Sequence, residues 1–471
     1  MTISIKLTSI LFLAAFILIS CKTTNVNVER GSNYTFRVGY PEIRLSAVGI
    51  ISDDDIPIIS TSTELMFSSL IYKNSSNDRV AEILFELQII NKITGTLISF
   101  NDTYQIIDNA ESRALNLDSY QIQKTFTVEP GYYVITAKVT DNNSQKDISL
   151  TTETFIPDPT NPEINLTNIL LLSKDNESIF PDYFPITTYD VPLKMDSLRF
   201  EFQATNNDSR DPITISAKLI QYQSDTLAAN PMSYNNYLSS SIGYRGIDYR
   251  NKTEIATTTR RLTQPGSVYI EFTYPILPRG NYRFEVTTKD ASNNEIYKAR
   301  DFSIKSENYP LISDVREIAA PLIYLMSAKD HQTLMKIKNE AELKQAVDRF
   351  WLEAIGNPNI AREVIQKYYD RVEQANKLFS NYKEGWKTDM GMIYILYGQP
   401  WYVQESFKRM TWSYSYNAND FFTNFSFIKP KKNSKFYPFD NYLLNRTSDY
   451  FNVEYRQREL WLSGQILTEN L

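Results

Sequence analysis

Pro130-Gly131-Tyr132-Tyr133-Val134-Ile135-Thr136-Ala137-Lys138-Val139-Thr140-Asp141 returns later in the chain as Pro278-Arg279-Gly280-Asn281-Tyr282-Arg283-Phe284-Glu285-Val286-Thr287-Thr288-Lys289-Asp290. Both copies hold Gly-x-Tyr, then seven residues, then Asp, and both run on through an Asn/Ser-rich turn into a further alternating segment, 147–155 and 295–304. Apolar and polar residues alternate with period two, the pattern of a half-buried strand. Glycine lets the chain enter the strand from a tight turn, tyrosine packs at the strand's start, and aspartate opens the hairpin that follows.

The repeated unit resembles the last hairpin of immunoglobulin-like or fibronectin-like modules. Two further echoes place the starts of the modules: Ile43-Arg44-Leu45-Ser46 with Ser52-Asp53, and Ile164-Asn165-Leu166-Thr167 with Ser173-Lys174-Asp175. Ala81 to Ile89 and Leu198 to Ala204 alternate in the same way, and Pro157-Asp158-Pro159-Thr160-Asn161-Pro162 reads as a linker. The expectation is two tandem antiparallel immunoglobulin-like sandwiches, 28–156 and 163–306. Their abundant aromatics, 32 Tyr and 25 Phe in the whole chain, suit strands. Because these aromatics alternate like core residues, a spacer role is preferred to glycan binding, with a glycan kept as the alternative ligand.

Composition removes several classes of function. The net charge is −6 with both signs well mixed, so no basic stripe of the kind nucleic acid requires is present. His331 is the one histidine, which argues against His-based metal sites and Ser-His-Asp triads. Asp53-Asp54-Asp55 lacks the interleaved ligands and bend glycine of a calcium loop and reads as a solvated turn. Neither a metal nor a cofactor is expected.

The first residues form a leader. Lys6 supplies a positive charge, Ile10 to Ile19 is a ten-residue apolar run, and Leu18-Ile19-Ser20-Cys21 follows. Ten residues are too few to cross a bilayer, which needs roughly twenty. An apolar residue three before the cysteine and a small one just before it is the pattern that lipoprotein signal peptidases read. Cys21 is also the chain's one cysteine, which removes an internal disulfide as its purpose. The expectation is a signal peptide over 1–20, a lipid-bearing Cys21, and a tether over 21–27. Lys22 in place of aspartate favours the outer membrane, and the absence of an acidic cluster favours its periplasmic face.

Beyond Tyr309-Pro310 the period changes to that of helices, opening a third unit over 310–471. Leu343, Ala346, Val347, Phe350, Trp351 and Ala354 share one helical face. After Gly356, Asn357 and Pro358 suit a helix start, and Val364, Tyr368, Val372, Ala375, Phe379 and Tyr382 line a second helix expected to end near Gly385. Met392 to Tyr397 is expected as a strand, with Gly398-x-Pro400 as the next turn. Trp412 to Tyr416 and Asn424 to Phe427 are expected as a hairpin continuing that sheet. Tyr450 to Leu462 is expected as a closing helix, and Lys429 to Lys435 as a basic solvated loop.

The segment Gly385-Trp386-Lys387-Thr388-Asp389 resembles the motif of the GWxTD domain, found in envelope proteins of certain Gram-negative bacteria. Phe350-Trp351, Arg371 with Asn376, and Tyr397-Gly398-x-Pro400 extend the likeness, which covers about 320–470, and the two β-modules fit that family's layout. The resemblance implies no assigned chemistry. It also implies arginines where this chain has Met390 and Met392, so an anionic ligand held by those arginines would be lost here. On the residues alone, Thr388 and Asp389 accept hydrogen bonds from a turn, Trp386 plugs a gap, and Arg371 and Asn376 clamp that turn. The alternative, Asp389 as an acid or base with Arg371 orienting an anion, lacks a partner carboxylate at defined spacing. An interaction or scaffold subunit of an envelope assembly, linked to secretion or surface organisation, is therefore preferred to a glycan-binding lipoprotein, and that to an enzyme acting on cell-wall material. Replacing Cys21→Ala is expected to release the protein from membranes and abolish acyl labelling in fractionated cells. Continued membrane attachment would defeat the anchor.

Overall fold

The computed structural model describes residues 28–469, apart from 31–35, 38, 76–77, 109–118, 162, 176–182, 208–211, 235–245, 291–292, 407–408, 418–422 and 430–441. The expected signal peptide over 1–20, with Leu18, Ile19, Ser20 and Cys21, lies outside these residues, as does the basic run after Lys429.

The molecule is mainly β with a C-terminal α+β module. In the first sandwich, β1 (Ile43–Ile51), β2 (Pro57–Met66) and β5 (Ser119–Thr127) form one antiparallel sheet. The facing sheet holds β3 (Asp78–Asn91), β4 (Leu97–Asp108), β6 (Gly131–Asp141) and β7 (Lys146–Ile156). Alternation dictates the packing: Ala81, Ile83, Phe85, Leu87 and Ile89 of β3 are all buried, while their sequence neighbours are not.

The second sandwich repeats the arrangement. β8 (Leu170–Lys174), β9 (Ser197–Asn206) and β12 (Gly266–Pro275) face β10 (Ile213–Ser224), β11 (Ile247–Leu262), β13 (Gly280–Lys289) and β14 (Glu295–Ile304). The repeat seen in sequence is the strand pair β6–β7 and its counterpart β13–β14. In each copy the tyrosine hydroxyl donates to the carbonyl four residues upstream, Tyr133 to Glu129 and Tyr282 to Pro278, both at 2.7 Å. This is the tyrosine corner of immunoglobulin-like sandwiches. Asp141 and Asp290 accept from backbone amides of the turns that follow.

One end of the first sandwich differs from expectation. Val28 and Glu29 pair in parallel with Ala299 and Arg300 of β14 and so extend a sheet of the second sandwich. The chain reaches β1 only after this contact, because Val28 buries its side chain there. The two sandwiches also meet directly: the Gln203 amide donates to Ile51 O and accepts from Ile51 N, both at 2.7 Å. Asn207 pins the linker by donating to Pro159 O and Asn161 O. Asp53, Asp54 and Asp55 form an exposed hairpin turn.

The C-terminal module comprises α1 (Val315–Ala319), α2 (Ala328–Met335), α3 (Glu340–Ile355), α4 (Pro358–Phe379), α5 (Asp389–Tyr397) and α6 (Tyr450–Leu462). Its sheet runs β15 (Tyr402–Ser406), β16 (Arg409–Ser413), β17 (Asn424–Ile428), β18 (Leu443–Leu444). Two expectations are corrected. Met392 to Tyr397 is helix α5, not a strand; every one of these residues is buried, so no polar face marks a period, and a short apolar run leaves the choice open. Thr388 decides it by capping the helix. Helix α4 stops at Phe379, not near Gly385, because Ser380 is extended and turns its hydroxyl to the Gly385 amide.

Each tyrosine corner contributes about 1 kcal/mol through one hydrogen bond. Tyr133→Phe is expected to lower the urea midpoint accordingly with the slope unchanged. An unaltered midpoint would remove the corner from the account.

Candidate functional site

The family-motif residues gather where α4, α5 and the second sandwich meet. Gly385 starts a single 3-10 turn packed against α4 so closely that a Cβ there would lie 1.9 Å from Ala375 O. A Cβ on Gly391 would likewise lie 1.9 Å from Gly385 O, so both positions admit only glycine. Asn376 of α4 holds the turn, accepting from Trp386 N at 3.3 Å and donating to Pro310 O at 3.0 Å. The Trp386 ring is buried edge-on to Tyr324, whose hydroxyl donates to Trp386 O at 2.7 Å. Thr388 Oγ1 donates to Gly385 O at 2.7 Å and accepts from Gly391 N at 3.0 Å.

Asp389 departs from the turn-capping role expected of it. Its Oδ2 accepts from Arg446 Nη1 at 2.6 Å and from Leu444 N at 2.8 Å, and its Oδ1 accepts from Arg446 Nη2 at 2.7 Å. Burial alone would push this carboxyl up, but the Arg446 guanidinium and the Leu444 amide hold it below the ordinary aspartate value. Arg446 then reaches across to the second sandwich, donating from Nε to Pro231 O at 3.0 Å and from Nη2 to Asn230 O at 2.9 Å. Ala229 and Met232 of the same loop are buried in the module's core. The sequence carried no signal for Arg446: it stands alone in a polar stretch, and the pairing spans 57 residues.

Arg371 serves the other end of α5. It donates to Ile395 O and Leu396 O, both at 3.1 Å, placing a cation at the helix's carbonyl end, and lies over the Trp461 ring. Burial lowers this guanidinium to about 10. Gln457 and Trp461 of α6 also donate to Leu396 O. Gly398 ends the helix and its carbonyl accepts from Tyr414 Oη at 2.7 Å; the Tyr397 ring lies tilted against Phe425, and Pro400 leads into β15. Arg371 and Asp389 thus act at opposite ends of α5 and do not form a joint anion site.

A ring of charges surrounds this centre. Glu384 pairs with Lys387 at 2.7 Å and with Arg279 of the second sandwich. Its burial opposes ionisation, yet these cations and Lys305 hold it well below the usual carboxylate range. Lys383 donates to Leu227 O at 2.7 Å, and Lys305 to Asn381 O at 2.8 Å. Asn281 Nδ2 donates to Tyr382 O at 2.9 Å. His331 lies apart from this ring, its Nε2 2.9 Å from Ala320 O.

The model of the GWxTD domain matches residues 282–463, and the chain carries that domain. The match begins earlier than the motif-based limit, taking in β13 and β14, the sandwich strands that the charges above join to the module. No curated protein matches the chain. Among solved structures, a red sea bream transglutaminase aligns at 9% identity and a TM-score of 0.19 over 57% of this chain and 32% of its own. A Parabacteroides merdae β-glucuronidase aligns at 7% and 0.18 over 52% and 28%. The chain spans about a third of the length of these two structures, and scores this low carry no argument about it.

Asp389→Ala leaves Arg446 buried without its counter-charge, a loss expected at about 3–5 kcal/mol in urea unfolding, whereas Asp389→Leu with Arg446→Met should cost less. Because the folded carboxyl lies below 3.8, its ordinary value, the pair's contribution is complete above that pH and is lost as pH falls through the folded value. A variant as stable as the parent would exclude the clasp.

Proposed function

We propose that this protein is a lipid-anchored scaffold or interaction subunit of an outer-membrane or periplasmic assembly, serving secretion or surface organisation. Lipid on Cys21 would hold it at the periplasmic face, the two sandwiches give reach, and the GWxTD domain makes the specific contact. Among the described residues no helix is long and apolar enough to cross a membrane.

The observation that carries this reading is the edge of the module's sheet. All five residues of β15 are exposed, and β15 ends the strand order. Trp401, Tyr402, Val403 and Tyr416 are exposed together, Tyr416 at 99%. Exposed aromatics beside an open strand edge suit a protein partner, which can add backbone hydrogen bonds to aromatic anchors. The motif residues, by contrast, are occupied inside the junction. Asp389 has both oxygens engaged by short hydrogen bonds, which argues against an acid–base role on cell-wall material.

A second reading has its own observation. Trp401 and Tyr416 are both exposed with ring centroids 5.3 Å apart and planes inclined at 53°, so either face is open for a sugar ring to stack on. Partner and glycan are separated by in-cell cross-linking from a photoreactive residue at Tyr402 in a C-terminally tagged protein, followed by mass spectrometry. Reproducible envelope-protein adducts, reduced roughly tenfold or more by Trp401→Ala, support the scaffold reading. Undiminished adducts refute this edge as the contact. Glycan retention lost in Trp401→Ala, without protein adducts, establishes the second reading.

A further inference from the structure

The two sandwiches, the N-terminal strand and α4 enclose a cavity of about 510 Å3, within the range of small-molecule sites. β1 contributes Arg44 to Val48, β7 contributes Thr152 and Glu153, and α4 contributes Asn376 to Leu378. The second sandwich supplies Asn168 to Leu171 and Ile186 to Asp190. Glu29 and Arg300 close the side where the N-terminal strand lies on β14.

Arg300 is 4% exposed. Its Nη2 donates to Ile186 O at 3.1 Å and Thr188 O at 2.8 Å, while its buried Nε has no hydrogen-bond partner among the described residues. A desolvated guanidinium with a free N–H is unfavourable until something accepts from it. Burial pushes the Glu29 carboxyl up to about 7 against the pull of Arg300 and Lys298. Near neutral pH much of it is therefore protonated, a hydroxyl donor beside a cation. Glu153 and Asp190 also line the cavity, paired with Lys92 and Lys305, so part of its positive charge is already met and one carboxylate suits it better than a dianion. Leu45, Ile169, Leu171 and Ile186 provide an apolar wall.

We propose that this junction cavity binds a small organic molecule bearing one carboxylate, such as a sugar acid, the carboxylate accepting from the Arg300 guanidinium and the Glu29 carboxyl. The body of the molecule lies on the apolar wall. Since three folded bodies line the cavity, an occupant that binds only the docked arrangement stabilises it. The charged and titratable groups around Glu29 are Arg300, Lys298 and Asp301 from β14, Arg30 from its own strand, Tyr189 and Asp190 from the second sandwich, Arg44 and Glu153 from the first, and Lys377 from α4. Burial also raises Asp190, and Glu29→Gln separates the two carboxyls.

The test is calorimetry and thermal melting of the full chain in detergent, with galacturonate and N-acetylmuramate as probes and with galactose and inorganic phosphate as counter-probes. Expected are saturable binding and a raised Tm with a carboxylate probe but with neither counter-probe, and a loss of roughly tenfold or more in Arg300→Gln. Binding should weaken as pH rises from about 6 to about 8, and Glu29→Gln should keep binding while losing that dependence. No saturable carboxylate binding, preference for phosphate, or undiminished binding in Arg300→Gln would overturn the proposal. If Arg300→Gln does not fold, Glu29→Gln decides: a pH dependence equal to the parent's overturns it.

Discussion

The buried ion pair between Asp389 and Arg446 is the constraint on which the arrangement of the C-terminal half rests. A carboxylate and a guanidinium taken out of water are stable only when geometry is good and the remaining donors and acceptors are filled. Here one carboxylate takes three donors, and the guanidinium spends two further N–H groups on Asn230 O and Pro231 O. These last two acceptors belong to the second sandwich. Arg446, the partner of the signature aspartate, therefore fills these donors only when the sandwich loop is docked, which ties the module to that sandwich.

The same logic explains the other polar contacts along the seam. Lys305, Lys383 and Asn281 each donate to a backbone carbonyl across it, and Arg279 meets Glu384. Such contacts demand orientation, which apolar packing alone does not, so they fix one relative placement of the parts. Among the described residues, the first sandwich is held by the Gln203 amide on Ile51 and by Lys377 on Glu42 at 2.9 Å. The result suits a protein whose task is to present a surface at a set position. A freely jointed string of modules would do this less well.

Legibility in the sequence followed how each element buries its side chains. The sandwich strands bury one face, so period two was visible, and the tyrosine corners left a repeated Gly-x-Tyr. Helices α3, α4 and α6 bury a stripe, so Leu343, Val347 and Trp351, or Val364, Tyr368 and Val372, announced themselves. Helix α5 buries all of Met392 to Tyr397, so that run reads as a strand as readily as a helix. At the site, Gly385, Trp386, Thr388 and Asn376 were legible as a turn and its clamp because their partners are local or on the adjoining helix. Arg446 was not, since a pairing between distant segments leaves no spacing to read.

Met390 and Met392, where the resemblance implied arginines, suit the places that α5 gives them. Met392 is 1% exposed and belongs to the module's hydrophobic core, and Met390 packs against that core from a partly buried position. A guanidinium at position 392 would need acceptors inside an apolar cluster, whereas the unbranched methionine fills such space without polar demands. With no cation on its own helix face, Asp389 draws its counter-charge from Arg446, across the sheet and toward the second sandwich.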